Sequence, residues 1–139
     1  MSTKKRRTKY SAIYPKERLP KWIKPSLGTV SQLEKVQTLI SRYKINTICE
    51  EGRCPNRGEC YASGTATFLL GGSICTRSCA FCQVDKGVSP EKVSHLEAER
   101  VANAVTILEL RYVVLTSVAR DDLPDHGASL FANTMSEIR

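Results

Sequence analysis

Six cysteines fall into two sets of three. The second set, Cys75-Thr-Arg-Ser-Cys79-Ala-Phe-Cys82, is a C-x3-C-x2-C run that follows a β-prone stretch and two glycines, Gly71 and Gly72. Three thiolates in one tight loop can hold three corners of an iron–sulfur cubane. The fourth iron is then left without a protein ligand. An open metal position is what chemistry requires, by the logic that separates catalytic from structural zinc sites. The first set is Cys49, Cys54 and Cys60 within CEEGRCPNRGEC, a C-x4-C-x5-C run. Gly52, Pro55 and Gly58 let this segment wrap closely around a bulky group. Thiolates are soft donors that suit iron–sulfur clusters or zinc. Zinc remains open as an alternative, although it prefers four ligands, usually in two close pairs. Only Cys79 and Cys82 make such a pair, and His95 and His126 stand at no regular spacing to either set, as surface residues would.

These cysteines need elements to position them. Residues 31–43 read as a helix, with Leu33, Val36, Leu39, Ile40 and Tyr43 on one face and Ser31 and Glu34 as a capping box. The stretch around the first set is loop-rich. Residues 65–70, TATFLL, read as a strand ended by Gly71 and Gly72. Residues 94–109 read as a second helix, with Ser94 and Glu97 repeating the capping box. That role accounts for Glu97 without a functional one. Residues 112–118, YVVLTSV, form a continuous apolar run, as in a strand covered on both faces. Residues 127–138 read as a third helix, with Leu130, Phe131, Met135 and Ile138 in its core stripe. From residue 65 the order strand, cysteine loop, helix, strand, loop, helix is α/β with parallel strands. In such folds ligands sit beyond the carboxyl ends of the strands, where the second cysteine set lies. Two parallel strands alone leave edges uncovered.

The 139 residues bound one modest core, with 41% hydrophobic and 25% charged content. Charge is uneven. Residues 1–24 hold nine Lys/Arg and one acid, a net of +8, leaving twelve bases against thirteen acids elsewhere. The basic character belongs to a Pro-interrupted leader that reads as an extended arm over residues 1–30, with Trp22 and Ile23 available to anchor it. The arm is either a solvated leader or a patch for an acidic partner. Its prolines disfavour the amphipathic helix of a transit peptide. No window approaches the roughly eighteen unbroken apolar residues of a membrane span. The amino terminus lacks the apolar core of a secretory signal. A reducing, cytoplasmic compartment follows, in which clustered thiols bind metal more often than they form disulfides.

The run C-x3-C-x-aromatic-C, with Phe81 as the aromatic, resembles the signature of the radical S-adenosylmethionine superfamily. The wider text is similar to the lipoyl synthase family. CEEGRCPNRGEC, GTATFLLGGSICTRSCAFCQVDKG and LRYVVLTSVARDDLPDHGA carry the resemblance, which covers roughly residues 19–139. It implies a radical S-adenosylmethionine fold, a partial (β/α)6 TIM-like barrel, preceded by a helix and a cysteine-rich loop. On that reading residues 31–64 are an extension bearing the loop, and residues 65–139 are the first βα units. The family has more strands than the two visible here, so the sequence reads as an amino-terminal portion of the enzyme. Ala98 stands where the family usually has proline, and His126 where glycine is common.

The resemblance further implies two 4Fe–4S clusters. Cys75, Cys79 and Cys82 match the ligands of the cluster that binds S-adenosylmethionine. Cys49, Cys54 and Cys60 match those of an auxiliary cluster consumed as the sulfur source. The family's fourth auxiliary ligand is a serine near its carboxyl terminus, and no residue here matches it. Phe81 falls where the superfamily places an aromatic near the adenine. The implied reaction is a sulfurtransferase reaction. A 5′-deoxyadenosyl radical abstracts hydrogen from C6 and C8 of a protein-bound octanoyl chain, and sulfur enters at both carbons to make the lipoyl group. The implied partners are octanoylated carrier domains of 2-oxoacid dehydrogenases or the glycine cleavage H protein, and an electron donor such as ferredoxin or flavodoxin. Neither a membrane nor a nucleic acid is expected. No side chain is assigned as catalytic, because the cofactors carry the hard chemistry. Ser117, Arg120, Asp121 and Asp122 follow the second strand at the expected site end. Arg120 would pair with a carboxylate and the aspartates would take cofactor hydroxyls, against the plainer reading of local salt bridges. Glu50, Glu51 and Arg53 would orient the auxiliary loop. The competing readings are a zinc-binding nucleic-acid module, whose basic leader grips phosphates, and an inactive iron–sulfur remnant.

Overall fold

The computed structural model describes residues 30–87 and 92–139. The basic arm, with its Trp22 and Ile23 anchor, lies outside the described residues. The chain is mixed α/β. Helix α1 (Val30–Tyr43) precedes two short helices, α2 (Ile48–Glu51) and α3 (Arg57–Ala62). Strand β1 (Thr65–Leu70) follows, then the two-residue strands β2 (Ile74–Cys75) and β3 (Asp85–Lys86). Helix α4 (Glu97–Ile107), strand β4 (Tyr112–Ser117) and helix α5 (Ala128–Ile138) complete the order.

β1 and β4 pair in parallel, from Thr65 opposite Tyr112 to Leu70 opposite Ser117, with α4 in the crossover between them. Parallel neighbours need such a crossover, because a tight turn can only join antiparallel strands. β2 and β3 form a second small parallel pair that closes the cysteine loop at its base, where the Gly87 amide donates to the Cys75 carbonyl at 3.0 Å. The other edge of β1 is covered by the segment before α2. Thr47 bridges Phe68 in antiparallel sense, and the Leu69 amide donates to the Asn46 carbonyl at 2.8 Å. The extension before the strands therefore solves half of the edge problem that two parallel strands pose.

Phe68 and Leu70 are fully buried, in one cluster with Val36, Ile45, Cys49, Tyr61, Ala66, Val101 and Ala104. Leu69 faces the other way and joins Val84 and Val118 in a smaller cluster, against which Ile48, Cys75 and Cys82 pack. β1 is thus apolar on both faces because each face has a cover.

Several expectations change. α1 begins one residue earlier than expected, with Ser31 already inside it, and the Ser31 side chain lies outside the described ones. The loop around the first cysteines contains two helical turns: Thr47 caps α2 by accepting the Glu50 amide. α4 is shorter than residues 94–109, and its capping box does not form. Leu96 takes the N-cap position, Ser94 Oγ accepts the Leu96 amide at 3.3 Å, and Glu97 turns elsewhere. At the other end Glu109, with φ of 49°, stops α4. Among the described residues β4 is not covered on both faces: Tyr112 is 65% and Val114 36% exposed, while Val113 and Leu115 pack on the core. Met135, expected in the core, is 46% exposed. It lines an open apolar groove with Val113, Leu115, Phe131 and Ile138. Among the described residues, no helix is long and apolar enough to cross a membrane.

The asymmetry of burial sets a stability contrast. Phe68→Ala, deleting a fully buried ring, is expected to cost about 3–5 kcal/mol. Tyr112→Ala, at an exposed position, should stay within roughly 0.5 kcal/mol of the parent. Denaturant titration of the three proteins checks this, and similar losses at both positions would contradict the burial described.

Candidate functional site

The second cysteine set is built where β1 ends. Leu70 passes into Gly71 and Gly72, both in the left-handed region with φ of 84° and 99°, and the chain then runs through β2 into the loop. Cys75 and Cys82 are half-buried against Leu69, Val84 and Val118, whereas Cys79 is exposed. The Cys82 amide donates to the Cys79 carbonyl at 3.2 Å, closing the short turn between those two thiols. Phe81 is 88% exposed.

The loop is laced to the segment that leaves β4. The Thr76 amide donates to the Ala119 carbonyl at 3.1 Å, and the Ala119 amide donates back to Cys75 Sγ at 3.4 Å. The Thr76 hydroxyl lies 3.0 Å from the Ala119 carbonyl and 2.8 Å from the Asp121 carboxylate, and accepts the Asp121 amide at 3.3 Å. Arg77, between two of the cysteines, forks onto Asp121 with bonds of 3.0 and 2.7 Å. Arg77, followed by Thr76, holds the Asp121 carboxyl at about 2, well below its ordinary value.

Arg120 pairs with the carboxylate of Asp122, two residues on, through two bonds of 2.8 and 2.7 Å, which is the local salt bridge of the plainer reading. Its third arm donates to the Gly71 carbonyl at 2.8 Å, and the side chain is buried. Ser117 is half-buried at the last β4 register position, opposite Leu70. The structure thus gathers Ser117, Arg120, Asp121 and the second cysteine set at one end of the strand pair. Asp121 and Asp122 are engaged by arginines, as local salt bridges would have it.

Sequence reasoning missed Glu97. Both its oxygens accept the Gly71 amide, at 3.1 and 3.2 Å. Burial pushes its carboxyl up, opposed by the Gly71 bond. The missed signal was available in outline: a carboxylate at the first turn of a helix that starts beside a glycine turn has a choice of backbone donors.

The first set occupies α2, α3 and the turn between them. Cys49 is buried on α2, the Cys54 amide donates to the Cys49 carbonyl at 3.1 Å, and Cys60 sits on α3. Burial, followed by the charges of Cys49 and Cys54, pushes the Cys60 thiol up. Arg57 bonds Glu50 Oε2 at 2.6 Å and ties the two helices together. Glu50 Oε1 is buried without a hydrogen-bond partner among the described residues. Glu51 and Arg53 form no side-chain hydrogen bond or ion pair among the described residues; Arg53, with φ of 49°, ends α2. The buried Tyr61 hydroxyl lies 3.4 Å from the Thr47 hydroxyl, beside Cys49, and burial pushes its phenol up.

All six cysteines are free. Among the described residues, no three His, Cys, Asp or Glu side chains converge as the ligand set of a single metal ion. A cubane spreads its thiolates over separate corners, so its ligands need not meet at one point. The donor chemistry fits such a group: free thiols in threes, one set with a sulfur already accepting a backbone amide. Ile48 packs in the cluster with Cys75 and Cys82, while the next residue, Cys49, faces the main core.

The chain is 71% identical over 139 residues to lipoyl synthase 2 of Prochlorococcus marinus and covers 45% of that protein. It is 61% identical over 121 residues to lipoyl synthase 2 of Thermosynechococcus vestitus, covering 42% of it. It is 46% identical over 125 residues to a mitochondrial lipoyl synthase of Nematostella vectensis, covering 43% of it. The chain therefore spans less than half the length of these curated relatives. No protein-family model matches it. The names of these relatives lend the zinc-module reading no support.

The Arg77–Asp121 fork gives a pH signature. The folded Asp121 value, about 2, lies below its ordinary 3.8. Its stabilisation is therefore complete above the ordinary value and is lost as pH falls through the folded one. Acid unfolding of Asp121→Asn should show a shallower dependence on pH across that window than the parent. Equal slopes would mean that the fork does not form in solution.

Proposed function

Since the chain belongs, along its whole length, to the lipoyl synthase family, we propose that it carries the cluster-binding part of a lipoyl synthase. The reaction is the radical insertion of two sulfur atoms at C6 and C8 of an octanoyl group on a carrier protein. The observation that carries this reading is the loop of Cys75, Cys79 and Cys82. It leaves the carboxyl end of β1 and is fastened to the carboxyl end of β4. In parallel α/β folds that is the ligand side.

Cys75, Cys79 and Cys82 would hold one 4Fe–4S cluster, and Cys49, Cys54 and Cys60 the other. When bound, these groups and S-adenosylmethionine supply the electron, the 5′-deoxyadenosyl radical and the sulfur. The chain's own residues do the positioning. The Ala119 amide, donating to Cys75 Sγ, would bias the potential of the group bound there, since hydrogen bonds to sulfur are one of its determinants. Thr76 and Arg77 hold the loop against the β4 end. Phe81 presents a bare aromatic face to solvent, and such a face would stack on an adenine. Ser117 and Asp121 would contact the rest of the cofactor, and Arg120 shapes the floor beneath it. Tyr61 and Thr47, buried beside Cys49, would shield that thiol of the first set from water. The α/β unit would be the start of a partial (β/α)6 barrel. The partners would be octanoylated carrier domains and a ferredoxin- or flavodoxin-type donor, in the cytoplasm.

Anaerobic reconstitution with iron and sulfide tests the proposal. The chain should turn brown, with broad visible absorbance. Cys75→Ala, Cys79→Ala and Cys82→Ala combined should lose the iron held by that set and all S-adenosylmethionine-dependent change in the electron paramagnetic resonance spectrum. A colourless protein holding stoichiometric zinc would instead favour the zinc module.

A further inference from the structure

Gly71 is gripped at both ends of its residue by different elements. Its amide donates to both oxygens of Glu97 on α4, at 3.1 and 3.2 Å. Its carbonyl accepts from Arg120, beyond β4, at 2.8 Å. Arg120 is itself fixed by the two-pronged bond to Asp122 and is only 3% exposed. The space around Gly71 is full: a Cβ there would meet Arg120 Cγ at 3.2 Å, Leu130 Cδ1 at 3.3 Å and Val118 Cγ2 at 3.4 Å. A Cβ on Gly72 would meet nothing within 4 Å. The chain is therefore tightly packed at Gly71 and has open space beside Gly72, three residues before Cys75.

A β1 end that only needed its last amide satisfied could use water or a neutral acceptor. A half-buried carboxylate loses hydration and must recover it from specific donors. Here the Gly71 and Gly72 amides and the charge of Arg120 supply that recovery, with Arg100 also facing the carboxylate. Such a bond is about twice as strong as one between neutral groups. It also pins α4 to the turn, so that helix, turn and the segment after β4 form one body.

We propose that Glu97 and Arg120 clamp Gly71 and thereby set the position of the loop that carries Cys75, making Glu97 a positioning residue rather than a helix cap. The functional weight of the clamp rests on the cluster reading above; its existence does not. Two measurements on the metal-free chain test it. Exchange of the Gly71 amide, followed by NMR, should be about tenfold faster in Glu97→Ala, the change expected for loss of one charged hydrogen bond. The amides of Val113 and Leu115 in β4 should be unchanged. Alkylation of Cys75 by iodoacetamide, followed by peptide mass spectrometry, should accelerate several-fold, with exposed Cys79 as the internal control. Glu97→Gln keeps an acceptor and should restore most of both parent values. If Glu97→Ala does not fold, Glu97→Asp, which withdraws the carboxylate by one methylene, takes its place. Unchanged Gly71 exchange would show that there is no clamp. Faster exchange with unchanged Cys75 alkylation would show that the clamp does not position the loop. Failure of the unsubstituted chain to take up iron would sink the cluster reading and leave these two outcomes to decide the clamp.

Discussion

Two strands running the same way fix almost everything else. Parallel pairing of β1 and β4 sends both carboxyl ends to one side, and the crossover through α4 returns that helix's first turn to the same side. Three loops therefore converge there: the glycine turn with its cysteines, the start of α4, and the segment after β4. Much of their backbone lies beyond the β1–β4 pairing and must find other partners. The bonds of Gly71 to Glu97 and Arg120, and of Thr76 and Ala119 to each other, are the solutions. A site arises there because unsatisfied polar groups and reactive thiols are concentrated where the sheet stops.

The extension before β1 completes this arrangement. Thr47 and Asn46 cover the edge of β1 that β4 leaves open, and the same stretch starts α2. Edge protection and ligand placement are thus one feature. Cys49 is buried because the residue two before it pairs with Phe68, and Ile48 between them reaches the smaller cluster beneath Cys75 and Cys82.

The sequence made the cysteine sets, β1 and α5 legible to within a residue. Each announces itself locally, through spacing, through β-branched and apolar runs ended by paired glycines, or through a 3.6-residue stripe. It misled where the outcome depends on a partner distant along the chain. Ser94 and Glu97 satisfy the capping-box pattern, but the Gly71 amide, 26 residues away, wins the carboxylate. The run 112–118 is apolar enough for a strand covered twice, yet among the described residues only the Val113 and Leu115 face has a cover. Met135 fits the stripe of α5 and lies at its margin, in the groove beside Leu115. Hydrophobic pattern reports which faces can be buried. It does not report which are.

The two thiol triads also differ in charge. Between Cys75 and Cys82 the only charged side chain is Arg77, whose guanidinium lies near Cys75 and Cys79 while paired with Asp121. A nearby cation favours the thiolate and, in a bound cluster, the reduced state. Between Cys49 and Cys60 stand Glu50, Glu51 and Glu59 against Arg53 and Arg57, and Arg57 is spent on Glu50. Cys60 accordingly feels burial, its two fellow thiols and Glu59, all raising its thiol. The first set therefore stands in the more negative and more enclosed setting, with Cys49 buried. The second offers an open edge, with Cys79 exposed beside the exposed ring of Phe81 and its one cation shared with Asp121. Local charge, like burial, thus separates two sets that the count of thiols alone would make equivalent.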